Sequence, residues 1–326
     1  MKKTNLAVIG ATGMVGRKAL EVLEERNFPV NNFYAFSSKR SASEKITLFA
    51  KEYTVRELTE SAPWADIDIA IFCAGSDVSK KFVPIAASNG CIAIDNSSYF
   101  RMDNDVPLIV PEINPEDVKR HKGIIANPNC STIQAVIALK PLKDRYGLRR
   151  VIYSTYQSVS GAGFAGVHAL EKGRKDVFTR PIVYNLIPQI DDFLDNGYTK
   201  EEMKMIEETK KILGQYDLKV NATTVRVPVF YGHSESINIE LDSGFELSDV
   251  KKLLAGSPGI VLMDDVKNGV YPTPIDAAGR DDVLIGRVRR DESIDNGLNI
   301  FCVADNIRKG AATNTVQIAE LIGGIK

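Results

Sequence analysis

Cysteine and histidine are scarce in this chain, 4 and 3 among 326 residues. Cys73, Cys91, Cys130 and Cys302 lie far apart and form no CxxC pair, which argues against a zinc site or other metal centre, against a disulfide framework, and for a reducing compartment. Neither sign of charge is in excess: 41 Lys and Arg stand against 42 Asp and Glu, so no net field gathers nucleic acid or an anionic membrane. Long apolar runs are missing as well. The opening MKKTNLAVIGATGMVG sets two lysines ahead of apolar residues, but the run Leu6 to Ile9 is too short for the apolar region of a signal peptide. No stretch approaches the ~18 apolar residues of a membrane span. The expectation is a soluble cytoplasmic protein that engages neither membrane nor nucleic acid.

What is present reads as two domains, since the chain exceeds one typical domain length. NLAVIG is a short apolar run ending in glycine, and MVGRKALEVLEER follows with Val15, Ala19, Leu20, Val22 and Leu23 at helical spacing. NNFYAFSS, DIDIAIFCAG and CIAIDNSS read as further strands, with the helical DVSKKFVPIAASNG between the last two. Strands alternating with helices predict a parallel, doubly wound sheet over about the first 125 residues. After Cys130 the texture changes to β-branched or alternating runs broken by Gly, Pro, Asn and Asp: RRVIYSTYQSVSG, KVNATTVRVPVFYGHSESINIEL, GIVLMDD, DDVLIGRVRRD and GLNIFCVADN. These predict a mainly antiparallel sheet with one covered face. TKEEMKMIEETKKILG is a charged helix with Met203, Ile206 and Leu213 on a narrow apolar face, and GAATNTVQIAELIGGIK is a helix at the end. The fold class is α/β followed by α+β.

Two stretches of the first half carry chemistry. GATGMVGR sets Gly10, Gly13 and Gly16 between a strand and a helix, where glycine lets the backbone approach a pyrophosphate and the helix start offers N–H groups and a positive dipole end. The alternative is a merely tight strand-to-helix turn; the strand–turn–helix context favours a dinucleotide. An NAD site usually adds an acid about 20 residues on. Here the second strand ends in Ser37, Ser38, Lys39, Arg40 and Ser41, with no acid before Glu44. Hydroxyls and two cations suit a 2′-phosphate, hence NADP over NAD, against the plainer reading of a solvated loop.

In NPNCSTIQAVIALKPL, Asn129 is suited to cap a buried helix that starts at Cys130 and stops before Pro141. A thiolate is stabilised at such a place, and the Asn129 amide with neighbouring N–H groups suits an oxyanion. Free cysteine is also a common core residue, the natural reading of Cys73, Cys91 and Cys302, and position by itself leaves Cys130 between the two. A base would decide more. His121 and His168 read as solvent-facing; His233 follows a strand and a glycine, a place from which a side chain reaches a cleft, with Arg226 on the same segment.

Taken together, GATGMVG, SSKRS, NSSYFRM, IIANPNCST, YQSVSGAG, KEEMK, RVPVFYGHS and GAATNTVQIAELI resemble the aspartate-β-semialdehyde dehydrogenase family, in its order and spacing from about residue 5 to residue 322. The resemblance implies NADPH-dependent reductive dephosphorylation of L-4-aspartyl phosphate to L-aspartate 4-semialdehyde, on the way to lysine, threonine, methionine and diaminopimelate. It implies that Cys130 carries the acyl group as a thioester, that His233 moves the proton on the thiol or hemithioacetal oxygen, and that Gln157 orients the acyl group. Arg226 would clamp the α-carboxylate, a task suited to a planar guanidinium. Glu201 would face the α-ammonium, Lys204 and Arg101 the phosphate, and Asn129 the substrate's oxygen or phosphate. Read without the family, Glu201 and Lys204 are a surface charge pair.

For NADP the resemblance implicates Gly10, Thr12, Gly13, Met14 and Val15 at the pyrophosphate, Ser38, Arg40 and Ser41 near the 2′-phosphate, Ser160 and Gly161 near the nicotinamide, and Gln317 from the last helix. It thus implies a Rossmann-type doubly wound sheet completed by the C-terminal helix (residues 1–127 and 308–326), plus an α+β catalytic and dimerisation domain with a largely antiparallel sheet (residues 128–307), in a homodimer or homotetramer. The rival readings are an N-acetyl-γ-glutamyl-phosphate reductase-like enzyme, a cysteine hydrolase or acyltransferase, and a non-catalytic NADP-binding paralogue. Glu201 and RVPVFYGHS oppose the first, the dinucleotide signals the second, and Cys130, Gln157 and His233 together the third.

Overall fold

The computed structural model describes residues 3–323, and the chain separates into two compact units, Met1–Pro128 with Ala311–Lys326, and Asn129–Gly310. The first unit begins with β1 (Thr4–Ile9), α1 (Met14–Glu25) and β2 (Val30–Ser37), followed by a hairpin of β3 (Lys45–Leu48) and β4 (Lys51–Thr54) and a short β5 (Arg56–Glu57). Then come β6 (Ile69–Phe72), α2 (Ser76–Ser88), β7 (Ile92–Asp95) and β8 (Ile124–Ala126).

Six of these strands form one sheet in the order β5-β2-β1-β6-β7-β8, and every pairing is parallel. The apolar runs explain this: Ile69, Ala70, Ile71 and Phe72 of β6 are all buried, as a strand covered on both faces requires. The chain moves outward from β1 through β2, then returns to lay β6 on the other side of β1. The carboxyl end of β1 is therefore the switch point at which such sheets open a crevice.

The second unit comprises α3 (Cys130–Tyr146), β9 (Leu148–Gln157), α4 (Gly163–Lys172), α5 (Lys200–Leu213), β10 (Lys219–Arg226) and β11 (His233–Leu241). It continues with α6 (Leu247–Ala255), β12 (Ile260–Leu262), α7 (Pro274–Ala277), β13 (Val283–Asp291) and β14 (Gly297–Ala304). Its sheet has the order β10-β9-β11-β14-β13-β12. β11 and β14 pair antiparallel with their neighbours, as the alternating runs predict. The edges differ: β9 with β10 and β12 with β13 run parallel; α4 and α5 make the connection from β9 to β10 a crossover rather than a hairpin, and α7 lies in that from β12 to β13.

Along β9, Val151, Tyr153, Thr155 and Gln157 are buried while Ser154 and Tyr156 are exposed. α3 and α5 cover the buried face. The opposite face bears aromatic side chains, Tyr156 and Phe301, whose rings lie 6.4 Å apart.

Two helix expectations need correction. α3 runs through Pro141 to Tyr146 instead of stopping before the proline. A proline inside a helix costs ~3 kcal/mol through a lost hydrogen bond and a clash with the carbonyl four residues back, but Leu139 and Leu142 on either side are fully buried and hold the last turns in place. α5 does not turn a narrow apolar face inward: Met205, Ile206, Ile212 and Leu213 are buried, and so are Glu201, Glu202 and Glu208, while Met203 is only half-buried. Carboxylates are tolerated there because each has a partner. Glu202 accepts from the N–H groups of Thr199 and Thr224 (2.7 and 3.0 Å).

The last helix, α8 (Thr313–Gly323), returns to the first unit and packs on α1. Val316, Ile318 and Ala319 join Leu6, Leu23, Ile71 and Ile94 in one core. No described helix is long and apolar enough to cross a membrane.

Candidate active site

In the first unit, Gly10 follows β1 with φ +79°, a conformation that disfavours side chains, and a Cβ there would stand 2.5 Å from the Cys73 carbonyl oxygen. A Cβ on Gly16 would come 2.2 Å from the Gly10 oxygen, so two of the three glycines are needed for the turn to close onto α1. Gly13 occupies the N-cap of α1 with no side-chain cap bond. No side chain therefore takes the anion-binding position at the helix start. Met14 and Val15 form the first turn, and the Thr12 hydroxyl lies 2.9 Å from that of Ser37 at the end of β2.

Just beyond, Ser38, Lys39 and Arg40 are exposed on a short turn and Ser41 is half-buried. This cradle at the switch point fits a dinucleotide. Arg101 is buried, its guanidinium donating to the carbonyls of Asn127 (2.9 Å) and Asn96 (2.7 Å). Gln317 donates to Glu112 at 3.0 Å.

In the second unit, Cys130 is the first residue of α3 and half-buried. Asn129 is its cap: the Oδ1 accepts from the Ser131 and Thr132 N–H groups at 3.0 and 3.3 Å. The other Asn129 donors are used by α5. Its N–H reaches Glu208 at 2.7 Å and its Nδ2 reaches Glu201 at 2.9 Å. Glu201 also accepts from Gln157 (3.3 Å) and from Lys204 (3.2 Å), which in turn pairs with Asp191 at 2.7 Å.

Burial pushes the Glu201 carboxyl up, but Lys204, the Asn129 hydrogen bond and Arg226 outweigh it and hold it below its ordinary value. It is a buried carboxylate rather than half of a surface pair. Arg226, buried at the end of β10, donates to the Ser158 carbonyl at 2.7 Å. Burial lowers its guanidinium, opposed by the charges of Glu201 and Cys130.

His233 is fully buried at the start of β11, unlike half-buried His121 and exposed His168. Its Nδ1 accepts from the Ser158 N–H at 3.0 Å, while its Nε2 has no partner. Burial first, and Arg226 second, take its pKa well below the ordinary histidine value, so the ring is neutral at pH 7. A Cβ on Gly161 would come 2.8 Å from Arg226 and 3.5 Å from the His233 Nε2, so the glycine lies directly over both.

Asn129, Gln157, Glu201, Lys204 and Arg226 thus form one connected group by hydrogen bonds and charge beside the thiol, with His233 and Ser160 joined to it through Ser158. Sequence reasoning missed Glu208, Ser158, Asn306 and Gly310. A Cβ on Gly310 would stand 2.9 Å from that of Cys130. GAAT in the last motif was the one available signal for it.

A nucleotide cradle in one unit and a thiol among ionisable groups in the other are matched by two family descriptions: "Semialdehyde dehydrogenase, NAD binding domain" over residues 5–121 and "Semialdehyde dehydrogenase, dimerisation domain" over residues 139–309. The chain is 51% identical to aspartate-semialdehyde dehydrogenase of Aquifex aeolicus, over 97% of each chain. The chain belongs to the aspartate-semialdehyde dehydrogenase family. Among solved members, the Vibrio cholerae aspartate semialdehyde dehydrogenase II complexed with ASA is 47% identical, covers 99% of both chains and has a TM-score of 0.96. The Candida albicans member with NADP is 26% identical over 99% of both chains, with a TM-score of 0.79. Membership assigns NAD(P) binding to the domain over residues 5–121 and dimerisation to the domain over residues 139–309.

Proposed function

We propose that the chain reduces L-4-aspartyl phosphate to L-aspartate 4-semialdehyde with release of phosphate, and runs the reverse, phosphorylating oxidation. The observation that carries this reading is Cys130 on the first turn of α3, half-buried, with its cap Asn129 bonded to the Glu201 carboxylate and the Arg226 guanidinium close enough to feel its charge. The Cys130 thiolate attacks the acyl carbon, the bond from that carbon to the phosphate oxygen breaks, and the phosphate leaves, taking up a proton from solvent. NADPH, when bound, supplies the hydride. The hemithioacetal then breaks its carbon–sulfur bond, releasing the aldehyde and restoring the thiolate. Gln157 orients the acyl group and His233 acts at its oxygen.

Arg226 recognises the α-carboxylate in a planar fork. Glu201, kept ionised, recognises the α-ammonium. Lys204 and Arg101 serve the phosphate. Gly10, Thr12, Gly13, Met14 and Val15 hold the pyrophosphate, and Ser160, Gly161 and Gln317 are further cofactor-binding residues. NADP is the preferred cofactor, because Ser38, Arg40 and Ser41 follow β2 where an NAD site has an acid. The same reading makes residues 1–127 and 308–326 the cofactor domain and residues 128–307 the catalytic and dimerisation domain. It sets the enzyme in the cytoplasm as a homodimer or homotetramer, with the aromatic face of the second sheet as the meeting surface.

The test is NADPH formation from aspartate semialdehyde and phosphate, beside N-acetylglutamate semialdehyde, for the wild type and Cys130→Ser. The expected result is phosphate-dependent activity on the first aldehyde only, faster with NADP than with NAD, and reduced at least ~10³-fold in Cys130→Ser. A serine variant with normal turnover would overturn the thioester route.

A further inference from the structure

The stretch from Asp305 to Gly310, just after β14, runs as a turn wider than that of an α-helix. The Gly310 N–H donates to the Asp305 carbonyl, five residues back, at 3.0 Å, where an α-helix would close after four; turns of this width recur at functional sites. The first N–H groups of such a turn have no partner within it. Asp305 supplies one: its Oδ1 accepts from the N–H groups of Ile307 and Arg308 at 2.8 and 3.0 Å. Its Oδ2 accepts from the N–H of Gly279, in the loop after α7, at 2.8 Å. Asp305 is 5% exposed, so one buried carboxylate closes the turn at its start and ties it to a second segment.

Arg308 strengthens that tie. Its Nε and Nη2 donate to the two carboxylate oxygens of Asp281, in the same loop, at 2.8 and 3.1 Å, a planar fork. Asn306 is anchored elsewhere: its Oδ1 accepts from the Ser158 hydroxyl and from the Gly232 N–H, each at 3.0 Å. Removing the Asp305 carboxylate therefore loosens residues 307–310 and leaves the end of β14 held.

The far end of the turn faces the start of α3. A Cβ on Gly310 would stand 2.9 Å from the Cys130 Cβ, 3.3 Å from its Cα and 3.4 Å from its carbonyl oxygen. Closely packed interiors pass a displacement on to their neighbours, so the path of the turn sets where the thiol begins.

We infer that Asp305 is a positioning residue for Cys130: by closing the turn that ends at Gly310, it fixes the backbone against which the first residue of α3 packs. This rests on the reading of Cys130 as the nucleophile. The Asn129 cap holds Cys130 from its own helix, and the charge of Arg226 reaches it from β10. Asp305 adds a constraint from the end of β14. A thiol confined from several elements keeps one line of attack on an acyl carbon, which is where orientation lowers a barrier.

The test compares Asp305→Ala and Asp305→Asn with the wild type as full chains. Steady-state kinetics with aspartate semialdehyde, phosphate and NADP is set beside NMR of protein labelled with ¹³C at the cysteine β-carbons. Four cysteines give four signals; Cys130→Ser identifies the one in question, and Cys73 and Cys91, in the first unit, are references. In Asp305→Ala the Cys130 signal is expected to move while both references stay, with kcat about ten-fold lower and KM within about two-fold of the wild type. Asp305→Asn keeps an oxygen for the Ile307 and Arg308 N–H groups, and is expected to restore the Cys130 signal and most of kcat.

A Cys130 signal at its wild-type position in Asp305→Ala, or a normal kcat, overturns the proposal. So does an asparagine variant as impaired as the alanine one, which would place the effect outside the cap. If Asp305→Ala does not fold, Asp305→Ser, with a single acceptor oxygen, takes its place on the same criteria. Turnover of Cys130→Ser, measured in parallel, decides the thioester reading by itself, and the NMR comparison stands without it.

Discussion

Cys130 shows how far a single residue can be read. Its polar neighbours and helix-start position were visible in NPNCST, yet by themselves they left core packing and nucleophile equally open. What distinguishes it is the company brought by distant segments: Glu201, Arg226 and the backbone at Gly310. Glycine at 310 is required by space, since a Cβ would lie 2.9 Å from the Cys130 Cβ and 3.3 Å from its Cα. Gly310→Ala must displace the nucleophile's own backbone. It is expected to lower kcat/KM about 100-fold, because misplacement near 1 Å at a reacting centre costs that much. Steady-state kinetics with far-UV circular dichroism checks this; an unchanged kcat/KM in a folded variant would mean that the thiol's position is not critical. His233 was legible as the one histidine next to a strand and a glycine. The donor that meets its Nδ1 was not, because that donor lies 75 residues away.

At the scale of elements, the sequence pattern located α3 and α5 but misjudged how each is held. Proline is normally a terminator, and α3 passes through it because burial of Leu139 and Leu142 outweighs one missing bond. The charges of α5 suggested a solvated helix; three of its glutamates are instead inside, two of them bound to Asn129. Asn129 therefore joins the helix of the nucleophile to the helix of the ammonium site. Asn129→Ala removes the cap of α3 and the Nδ2 bond to Glu201 together, and is expected to cost about 2 kcal/mol. Urea unfolding reads this as a lower midpoint at unchanged slope. A midpoint equal to the wild type's would show that other groups satisfy the helix start.

For the whole molecule, one buried group sets a dependence on pH. Glu235 is fully buried on β11, and burial, reinforced by the charge of Glu201, pushes its carboxyl well above the usual carboxylate range. The folded state keeps this proton where the unfolded chain has lost it. Its contribution is therefore intact below the unfolded value near pH 4.5 and is lost as pH rises toward the folded value, at up to ~1.4 kcal/mol per pH unit. Glu235→Gln keeps the shape without the proton to lose. Its stability relative to the wild type is expected to increase from pH 5 to pH 8, measured as ΔTm by calorimetry. A difference that stays flat or shrinks would mean that Glu235 is ionised in the fold.

Alternation of strands and helices, the glycine turn and the order of motifs were determined by the sequence itself, because they rest on local periodicity and on backbone conformations that few residues allow. The parallel edges of the second sheet, the buried carboxylates of α5 and the Ser158–His233–Asn306 arrangement were decided only by tertiary structure. Each depends on a partner far along the chain, and a charge or a ring nitrogen acquires its role from the groups that burial sets against it.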